Sequence, residues 1–298
     1  MERVSTIAGV RTKSAVRASP TSQSRSGQVL AYVLLSLGGL VMFMPFVWLL
    51  SSSVKGPNQV FVFPPEWIPN PIHWDNYAYV VQELPFLLYL QNTMIITVGA
   101  VTGQVLTSMI SAYSFARLRW WGRDVIFALI LSTLMLPYVV TLIPIYVIFT
   151  RLHWINTFLP LIVPTWFGGG AFNIFLLRQF FLTIPRELEE AAIVDGAQPW
   201  TLLRQIIVPL SKPALAVVAI FSFLHQWNDF LGPLIYLNKA QLRTLALGVN
   251  ALQGLEWGRD MTQYIMAISV LITAPVIILF FVAQRSFIEG IVLTGLRG

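Results

Sequence analysis

The chain has 298 residues, of which 56% are hydrophobic and only 11% charged, and its mean hydropathy is +0.71. Soluble domains have roughly a quarter of their residues charged, so this composition predicts an integral membrane protein. The absence of cysteine excludes disulfides, thiolate metal sites and cysteine nucleophiles. The formal net charge of +6 would suggest nucleic-acid binding only if the basic residues had no other explanation.

The first 27 residues are rich in Ser, Thr and Arg, and Glu2 is their only acidic residue. This composition fits a disordered cytoplasmic tail better than an organellar transit peptide. The next apolar run is too long for a signal peptide, and no small-residue cleavage site follows it. We therefore interpret that run as an uncleaved first span.

Six apolar runs are each long enough to cross about 30 Å of hydrocarbon. We find no internal repeat and no second soluble domain. The sequence therefore predicts an all-α membrane protein with a tail at 1–27 and one six-span domain at 28–298. The predicted spans are 29–51, 88–116, 124–149, 158–181, 212–237 and 264–284.

The distribution of basic residues indicates the orientation of these spans. With the amino terminus in the cytoplasm, fourteen of the 19 Lys and Arg residues fall in cytoplasmic segments, which is the asymmetry of the positive-inside rule. Both termini and the loop at 184–213 are then cytoplasmic, and no nucleic acid is needed to explain the charge. The remaining basic residues are external: Lys55, Arg151, Lys239, Arg243 and Arg259.

The longest predicted external segment is 52–87, in which six prolines prevent one continuous helix. It is either an interfacial loop or a contact surface for an external protein, and its residues do not decide between the two. Its aromatic rings are expected at the membrane surface: Trp67, Trp74, Tyr77 and Tyr79.

Proline and glycine mark predicted breaks in spans three and four. Such breaks persist at membrane depth only where protein or a water-filled cavity satisfies the freed backbone groups. They indicate either a central pathway or kinks that simply pack. The residues concerned are Pro137, Pro144, Pro160, Pro164 and Gly168 to Gly170.

The polar stretch 184–213 predicts two short helices between apolar runs. Pro185 suits the first turn of a helix, and Asp195-Gly196 predicts its end. Pro199 begins a second helix, which we expect to end near Pro209 because the residue before a proline is disfavoured in the helical region. Acidic residues occupy the first turn, where the helix dipole favours them: Glu187, Glu189 and Glu190.

This bent helix pair has two interpretations. It is a loop that merely joins two spans, or it is a docking element for a soluble partner, in which alanines allow close approach and acids fix the register. The sequence predicts that one side of the pair is apolar, and this side comprises Leu188, Ala191, Ala192, Trp200, Leu203 and Ile207.

The fifth span contains a cluster with several polar residues, His225 to Phe230. Placing this cluster inside the membrane costs more free energy than any other feature of the predicted spans. Asp229 would be a proton or cation site near the middle of the span, whereas nearer its outer end it would only cap or pair. We expect a structural or pathway-lining role rather than ion coupling.

Catalytic signatures are missing from the sequence. There is no Gly-x-x-x-x-Gly-Lys-Ser/Thr phosphate loop, so ATP binding of the P-loop kind is not expected in this chain. The three histidines are at no metal-ligand spacing. The chain is therefore expected not to be an enzyme and to bind no metal.

The spacing of Glu190-Ala191-Ala192, three residues, Gly196, nine residues, Ile206, one residue and Val208-Pro209 resembles the cytoplasmic coupling motif of ATP-binding cassette (ABC) importer permeases. Val208 departs from the leucine usual in that family. Phe63 to Trp67, Trp74 to Tyr77, Ser111 to Leu118, Trp227 to Asp229 and the carboxyl tail from Arg285 are similar to the sugar-importing branch.

This resemblance implies a type I ABC importer permease fold in a bacterial inner membrane. It implies as partners two cytoplasmic ABC ATPase subunits, a second homologous permease and an external solute-binding protein. ATP and Mg would belong to the ATPases, and this chain would bind no cofactor. The expected substrate is a sugar or oligosaccharide. The alternatives are a glycerol-phosphate or polyol importer and an ion-coupled secondary carrier, which would have no use for a docking motif.

The resemblance also implies two sets of site residues. The ATPase-coupling set comprises Leu188, Glu189, Glu190, Ala191, Ala192, Asp195, Gly196, Ile206 and Pro209. The substrate-pathway set comprises Trp166, Phe172, Asn173, Gln226, Trp227, Asn228, Asp229 and Tyr236.

Overall fold

The computed structural model describes residues 25–254 and 261–295, with side chains at 27–252 and 261–284. All regular structure in these ranges is helical. The helices are α1 (Arg25–Ser52), α2 (Asp75–Gln82), α3 (Phe86–Arg117), α4 (Arg123–Ser132), α5 (Tyr138–Arg151), α6 (Leu159–Ile162), α7 (Ala171–Thr183), α8 (Glu187–Val194), α9 (Pro199–Leu202), α10 (Val208–Leu210), α11 (Lys212–Trp227), α12 (Leu231–Tyr236), α13 (Leu245–Gly254) and α14 (Thr262–Gly295).

Four helical segments within the described ranges are long and apolar enough to cross a membrane, and two bent helix pairs raise the number to six if each pair counts as one span. The predicted six-span fold class is thereby supported. The four segments are 27–52, 86–117, 159–183 and 262–284, and the bent pairs are 123–151 and 199–227. In the second pair only 212–227 falls within a predicted span, and it meets 199–210, which belongs to the polar stretch 184–213, at a bend of 81°.

Two compact units divide the chain between Trp48 and Leu49. In the first unit, α1 carries apolar side chains that are mostly exposed, as expected of a helix whose surroundings are hydrocarbon. The predicted tail at 1–27 falls almost entirely outside the described residues, as do 255–260 and the last three residues.

Helix α3 is the centre of the second unit, where it packs along α7 and α11. Small side chains such as Ala100 and Ala112 are fully buried along it and let its neighbours approach closely. Buried apolar side chains form three clusters, around Phe181 and Ile207, around Trp227 and Ile268, and around Leu161 and Tyr236.

The predicted third span consists of two helices that meet at a bend of 103°. The break is at Leu136 and Pro137, both of which have extended backbone, as the steric restriction before a proline requires. Pro144 lies inside α5 and does not interrupt it. Of the two prolines marked in this span, only Pro137 breaks it.

The predicted fourth span is interrupted at its glycines. A 3₁₀ turn at Val163–Trp166 follows α6, and helix resumes at Ala171. Between them Gly168, Gly169 and Gly170 all have positive φ, a conformation that disfavours other residues.

The second helix of the pair ends near Pro209 as predicted, but not for the predicted reason. Val208, the residue before this proline, is helical, and the helix ends one residue beyond Pro209, at Leu210. The preceding turn, Leu203–Ile207, is a π-helix. A proline ring clashes with the carbonyl of residue i−4 in a regular helix, and the wider π turn relieves that clash.

Candidate functional site

Helix α8 lies where its sequence predicts, although Pro185, expected in its first turn, precedes the N-cap residue Arg186. It starts two residues after Pro185 and carries three acids in its first turn. At its end, the N–H of Gly196 bonds to the carbonyl of Ile193, and the N–H of Ala197 bonds to that of Ala192, both at 2.9 Å. This is a Schellman motif, which requires a left-handed residue at the position of Gly196. Gly196 has φ of 86° and turns the chain towards α9.

The helix pair formed by residues 187–210 has an inner face fixed in the core. Leu203 and Ile207 are 2% and 0% exposed and join the cluster around Phe181. Burial of each such side chain stabilises by roughly 1.5–3 kcal/mol. Ala192 and Ile206 pack against the same cluster, so the pair is attached firmly to the membrane helices.

Its outer face is apolar and uncovered in the isolated chain. Sequence analysis did not single out Ile193 and Val194, although Val194 is 88% exposed. The predicted single apolar side was therefore wrong: Leu188 and Trp200 are exposed, whereas Leu203 and Ile207 face the core. The outer face, named here the docking face, comprises Leu188, Glu190, Ala191, Ile193, Val194 and Trp200.

The two adjacent acids of α8 have different environments. Glu190 is exposed. Glu189 is 8% exposed, and its Oε1 lies 2.9 Å from Nε of Arg117 at the end of α3. The two atoms are at ion-pair distance but not in hydrogen-bond alignment. Burial raises the pKa of the Glu189 carboxyl, while Arg117 and Arg186 oppose the rise.

The guanidinium of Arg117 also donates from Nη2 to the carbonyls of Phe181 and Ile184. These carbonyls lie at the end of α7, where helical N–H donors run out, although the Phe181 carbonyl also accepts from the N–H of Ile184 at 3.2 Å. One side chain thus joins α3, the end of α7 and the first turn of α8. Sequence analysis counts Arg117 only among the basic residues of the cytoplasmic segments, because no sequence spacing connects it with Glu189.

The remaining coupling-set residues that the sequence predicted lie at the surface of the 187–210 helix pair. Asp195, Gly196 and Pro209 are exposed, and Ile206 is half-buried. The structure thus brings this set together on one element, with Glu189 as its one buried member.

The predicted pathway residues are more dispersed. Trp227 is 3% exposed, stacks on Phe223 and donates its indole N–H to the carbonyl of Ile272. Tyr236 is also 3% exposed and contacts the rings of Tyr146 and Phe149. Both rings are packed inside the protein in this conformation.

The polar members of the pathway set also have partners. The amide of Asn173 donates to Gly169 O and Ser222 Oγ. Asn228 donates to Leu224 O at 2.7 Å. Oδ1 of Asp229 accepts from the N–H of Gly232 at 3.1 Å, in the first turn of α12. Asp229 therefore caps a helix, the role expected for it if it were not a cation site.

Gln226, Trp227 and Asp229 line a crevice with Thr93, Ile96 and Thr244 that leaves no room for a water molecule. Trp166 and Phe172 remain about half-exposed. The indole N–H of Trp166 donates to Gly99 O at 3.0 Å. No group of three or more His, Asp or Glu side chains that could hold a metal occurs among the described residues.

The sequence and the fold both match known transport proteins. Residues 104–291 match the family of binding-protein-dependent transport system inner membrane components. The sn-glycerol-3-phosphate transport system permease proteins UgpE of Yersinia enterocolitica and Salmonella typhi are each 30% identical, over 91% and 89% of this chain and 98% and 95% of their own lengths.

Solved structures show the same fold. A chain of a bacterial ABC transporter involved in the import of the acidic polysaccharide alginate superposes with a TM-score of 0.76 at 26% identity, over 88% of this chain and 98% of that one. A chain of the bacterial alginate ABC transporter in complex with an alginate-pentasaccharide-bound periplasmic protein gives 0.58 at 16% identity, over 88% and 93%. The chain therefore belongs to the binding-protein-dependent transport system inner membrane components and is a multi-pass inner-membrane permease subunit of an ABC importer.

Proposed function

We propose that the docking face of the 187–210 helix pair receives an ABC ATPase subunit in the cytoplasm. The observation that carries this proposal is the contrast between the two faces of the pair. Its inner face is buried among the membrane helices, whereas its outer face exposes apolar side chains that no described residue covers. An apolar patch with a polar rim is typical of a protein interface.

Glu190 is the acid that meets a basic residue of the ATPase. It is exposed, whereas Glu189 is already next to Arg117. Leu188 and Ala191 pack into a cleft of the ATPase, whereas Ala192, which the sequence placed with them, packs against the cluster around Phe181. Closure of the ATPase dimer on ATP and Mg then moves the helix pair, and with it the attached spans, between inward-open and outward-open states.

The orientation follows from this role. Both termini and residues 184–213 are cytoplasmic, in agreement with the excess of Lys and Arg on that side. The opposite side meets the solute-binding protein that the family name implies. A second homologous permease completes the pathway, and the ATPase subunits hold the nucleotide.

The cargo is a sugar or oligosaccharide, with sn-glycerol 3-phosphate as the alternative. The alginate importer supports the first, and the glycerol-phosphate permeases support the second. Trp166 and Phe172 are the aromatic side chains of the predicted pathway that remain accessible for a sugar ring.

Copurification with the ATPase tests the docking face. The chain is coexpressed with its ATPase and second permease, and wild type is compared with Glu190→Ala, Val194→Ser and Gly196→Trp. Glu187→Ala is the matched control, because Glu187 is an exposed acid of the same helix outside the motif. We expect the first three variants to insert normally but to lose the ATPase or its stimulation by the loaded binding protein.

The same assay identifies the cargo, because only the correct loaded binding protein stimulates ATP hydrolysis. If Glu190→Ala and Val194→Ser behave as wild type, the docking face is not the ATPase contact. Solute uptake that follows an ion gradient without ATP would favour the secondary carrier instead.

A further inference from the structure

A polar cleft of about 470 Å³ lies where the chain leaves α3 and enters α4. It is separate from the docking face and from the predicted pathway residues. Its charged lining residues come from two parts of the chain, the 117–125 turn and the residue before α8: Arg119, Arg123, Asp124 and Arg186.

The charges that line this cleft do not balance. Asp124, its one carboxylate, is bound by Arg123 through Nε to Oδ1 at 2.9 Å and Nη2 to Oδ2 at 3.3 Å. Arg119 and Arg186 are exposed and form no ion pair with any acid in the described ranges. Two guanidinium groups are thus available for an anion, and guanidinium geometry suits phosphate.

The backbone adds to the positive potential. Gly122 precedes α4, a helix of ten residues, and no side chain caps its first turn. The free N–H groups of that turn favour an anion at this end. Gly122 and Val125, which flank this turn, also line the cleft.

The surroundings of the cleft are those of a membrane interface. Trp121 is 97% exposed, and tryptophan at the end of a span is typical of the headgroup region. Directly beyond the cleft, α4 exposes apolar side chains along the first part of a membrane-crossing pair: Val125, Ile126 and Leu129. A molecule with a phosphate group and an acyl chain fits both surfaces at once, which a free phosphate ion does not.

We propose that the cleft between Arg119, Arg123 and Arg186 binds the phosphate headgroup of an anionic phospholipid, whose acyl chains lie along α4. Basic pockets at the ends of membrane helices bind such headgroups through phosphate contacts. Because Arg186 immediately precedes α8, the bound lipid also fixes the start of the 187–210 helix pair at the membrane surface.

Lipid titration of the purified importer complex tests this site. Phosphatidylglycerol is titrated against phosphatidylcholine with the same acyl chains, and binding is followed by native mass spectrometry. We expect wild type to prefer phosphatidylglycerol, and Arg119→Gln and Arg186→Gln each to weaken its binding about fivefold, the factor expected for one basic residue at an anionic surface. Arg151→Gln is the control, because Arg151 is equally exposed at the far end of α5.

Inorganic phosphate, added alone, separates a lipid from a free anion. Binding of inorganic phosphate that is as strong as binding of phosphatidylglycerol, and that is lost in Arg119→Gln and Arg186→Gln, would show that the cleft binds a free anion rather than a lipid. That result would overturn the proposal. An equal loss in Arg151→Gln, or no lipid preference in wild type, would also overturn it. So would phosphatidylglycerol binding that is seen with the two permeases purified without the ATPase but not with the full complex, since the cleft would then be an ATPase surface.

Discussion

Arg117 and Glu189 join the end of a membrane-spanning helix to the helix pair that carries the coupling motif. Their side chains are 4% and 11% exposed, and the two charged atoms are 2.9 Å apart. Because Arg117 also donates to the carbonyls at the end of α7, one side chain connects α8 with the ends of two spans.

Removal of the Arg117 side chain is expected to lower the stability of the folded protein. Arg117→Ala leaves the carboxylate of Glu189 buried without its counter-ion, which should destabilise the protein by about 3 kcal/mol. Glu189→Ala added to Arg117→Ala should restore part of that loss, since the two residues are coupled. Thermal unfolding in detergent measures both effects, with the exposed Arg151→Ala as control. Additive losses in the double variant would show that the pair contributes no coupling energy.

The raised pKa of Glu189 predicts a pH dependence of stability. Burial is the main cause, and it raises the pKa above the ordinary 4.5. A group that binds its proton more tightly in the folded state stabilises the protein below its unfolded pKa, and this contribution is lost as pH rises through the folded pKa. The stability of wild type relative to Glu189→Gln should therefore fall as pH rises from about 4 towards neutral. The opposite trend would mean that attraction to Arg117 exceeds the cost of burial.

Gly196 is predicted to act through its backbone conformation. A Cβ at this position would meet nothing within 4 Å, but the φ of 86° is strained for other residues. Gly196→Ala should therefore destabilise by about 1 kcal/mol, and Gly196→Asn by less, because asparagine tolerates the left-handed region. Thermal unfolding ranks the variants, and an asparagine variant no better than the alanine variant would contradict this explanation.

Gly103 is expected to tolerate no side chain. A Cβ there would overlap the indole ring of Trp166, so Gly103→Ala should cost about 1–3 kcal/mol through overpacking. Trp166→Leu should rescue the variant by making room. Gly39→Ala is the control, since its Cβ would meet nothing within 4 Å. Failure of the rescue would place the strain elsewhere than at the Trp166 ring.

Asp229 is predicted to work as a cap. Asp229→Asn keeps an oxygen for the N–H of Gly232 and should preserve both stability and transport, whereas Asp229→Ala should lose about 1 kcal/mol of stability. Transport assays and thermal unfolding of both variants decide the role. A stable Asp229→Asn variant without transport would make the carboxylate itself functional and revive the ion-coupled hypothesis.

The spans and the bounds of the coupling element could be predicted because each depends on local chemistry. Apolar runs, Pro185 and Asp195-Gly196 act within a few residues of themselves, and α8 begins and ends accordingly. The environments of Glu189 and Glu190 could not be predicted, because they depend on Arg117, which is brought near only by the packing of α3.

The predicted pathway residues show the same limit. An aromatic residue in a span fits a sugar platform and a packed core equally well, and only the neighbours decide. Phe223 and Ile272 enclose Trp227, and Tyr146 and Phe149 contact Tyr236. Phe223 lies one helical turn before Trp227 on α11, but Ile272, Tyr146 and Phe149 are distant in sequence from the rings they contact.

Helix α3 is longer than the hydrocarbon layer is thick. Its 32 residues rise about 48 Å at 1.5 Å per residue, and a helix of that length would need a tilt of about 50° to fit within 30 Å of hydrocarbon, more than membrane helices adopt. At least one end of α3 therefore projects beyond the hydrocarbon, and its polar end is Arg117. A rotation of α3 by about 5° about its other end corresponds to a displacement of about 4 Å at Arg117, beside Glu189. A displacement of that size in the helix pair is therefore geometrically equivalent to a small tilt of a helix that reaches the opposite membrane surface.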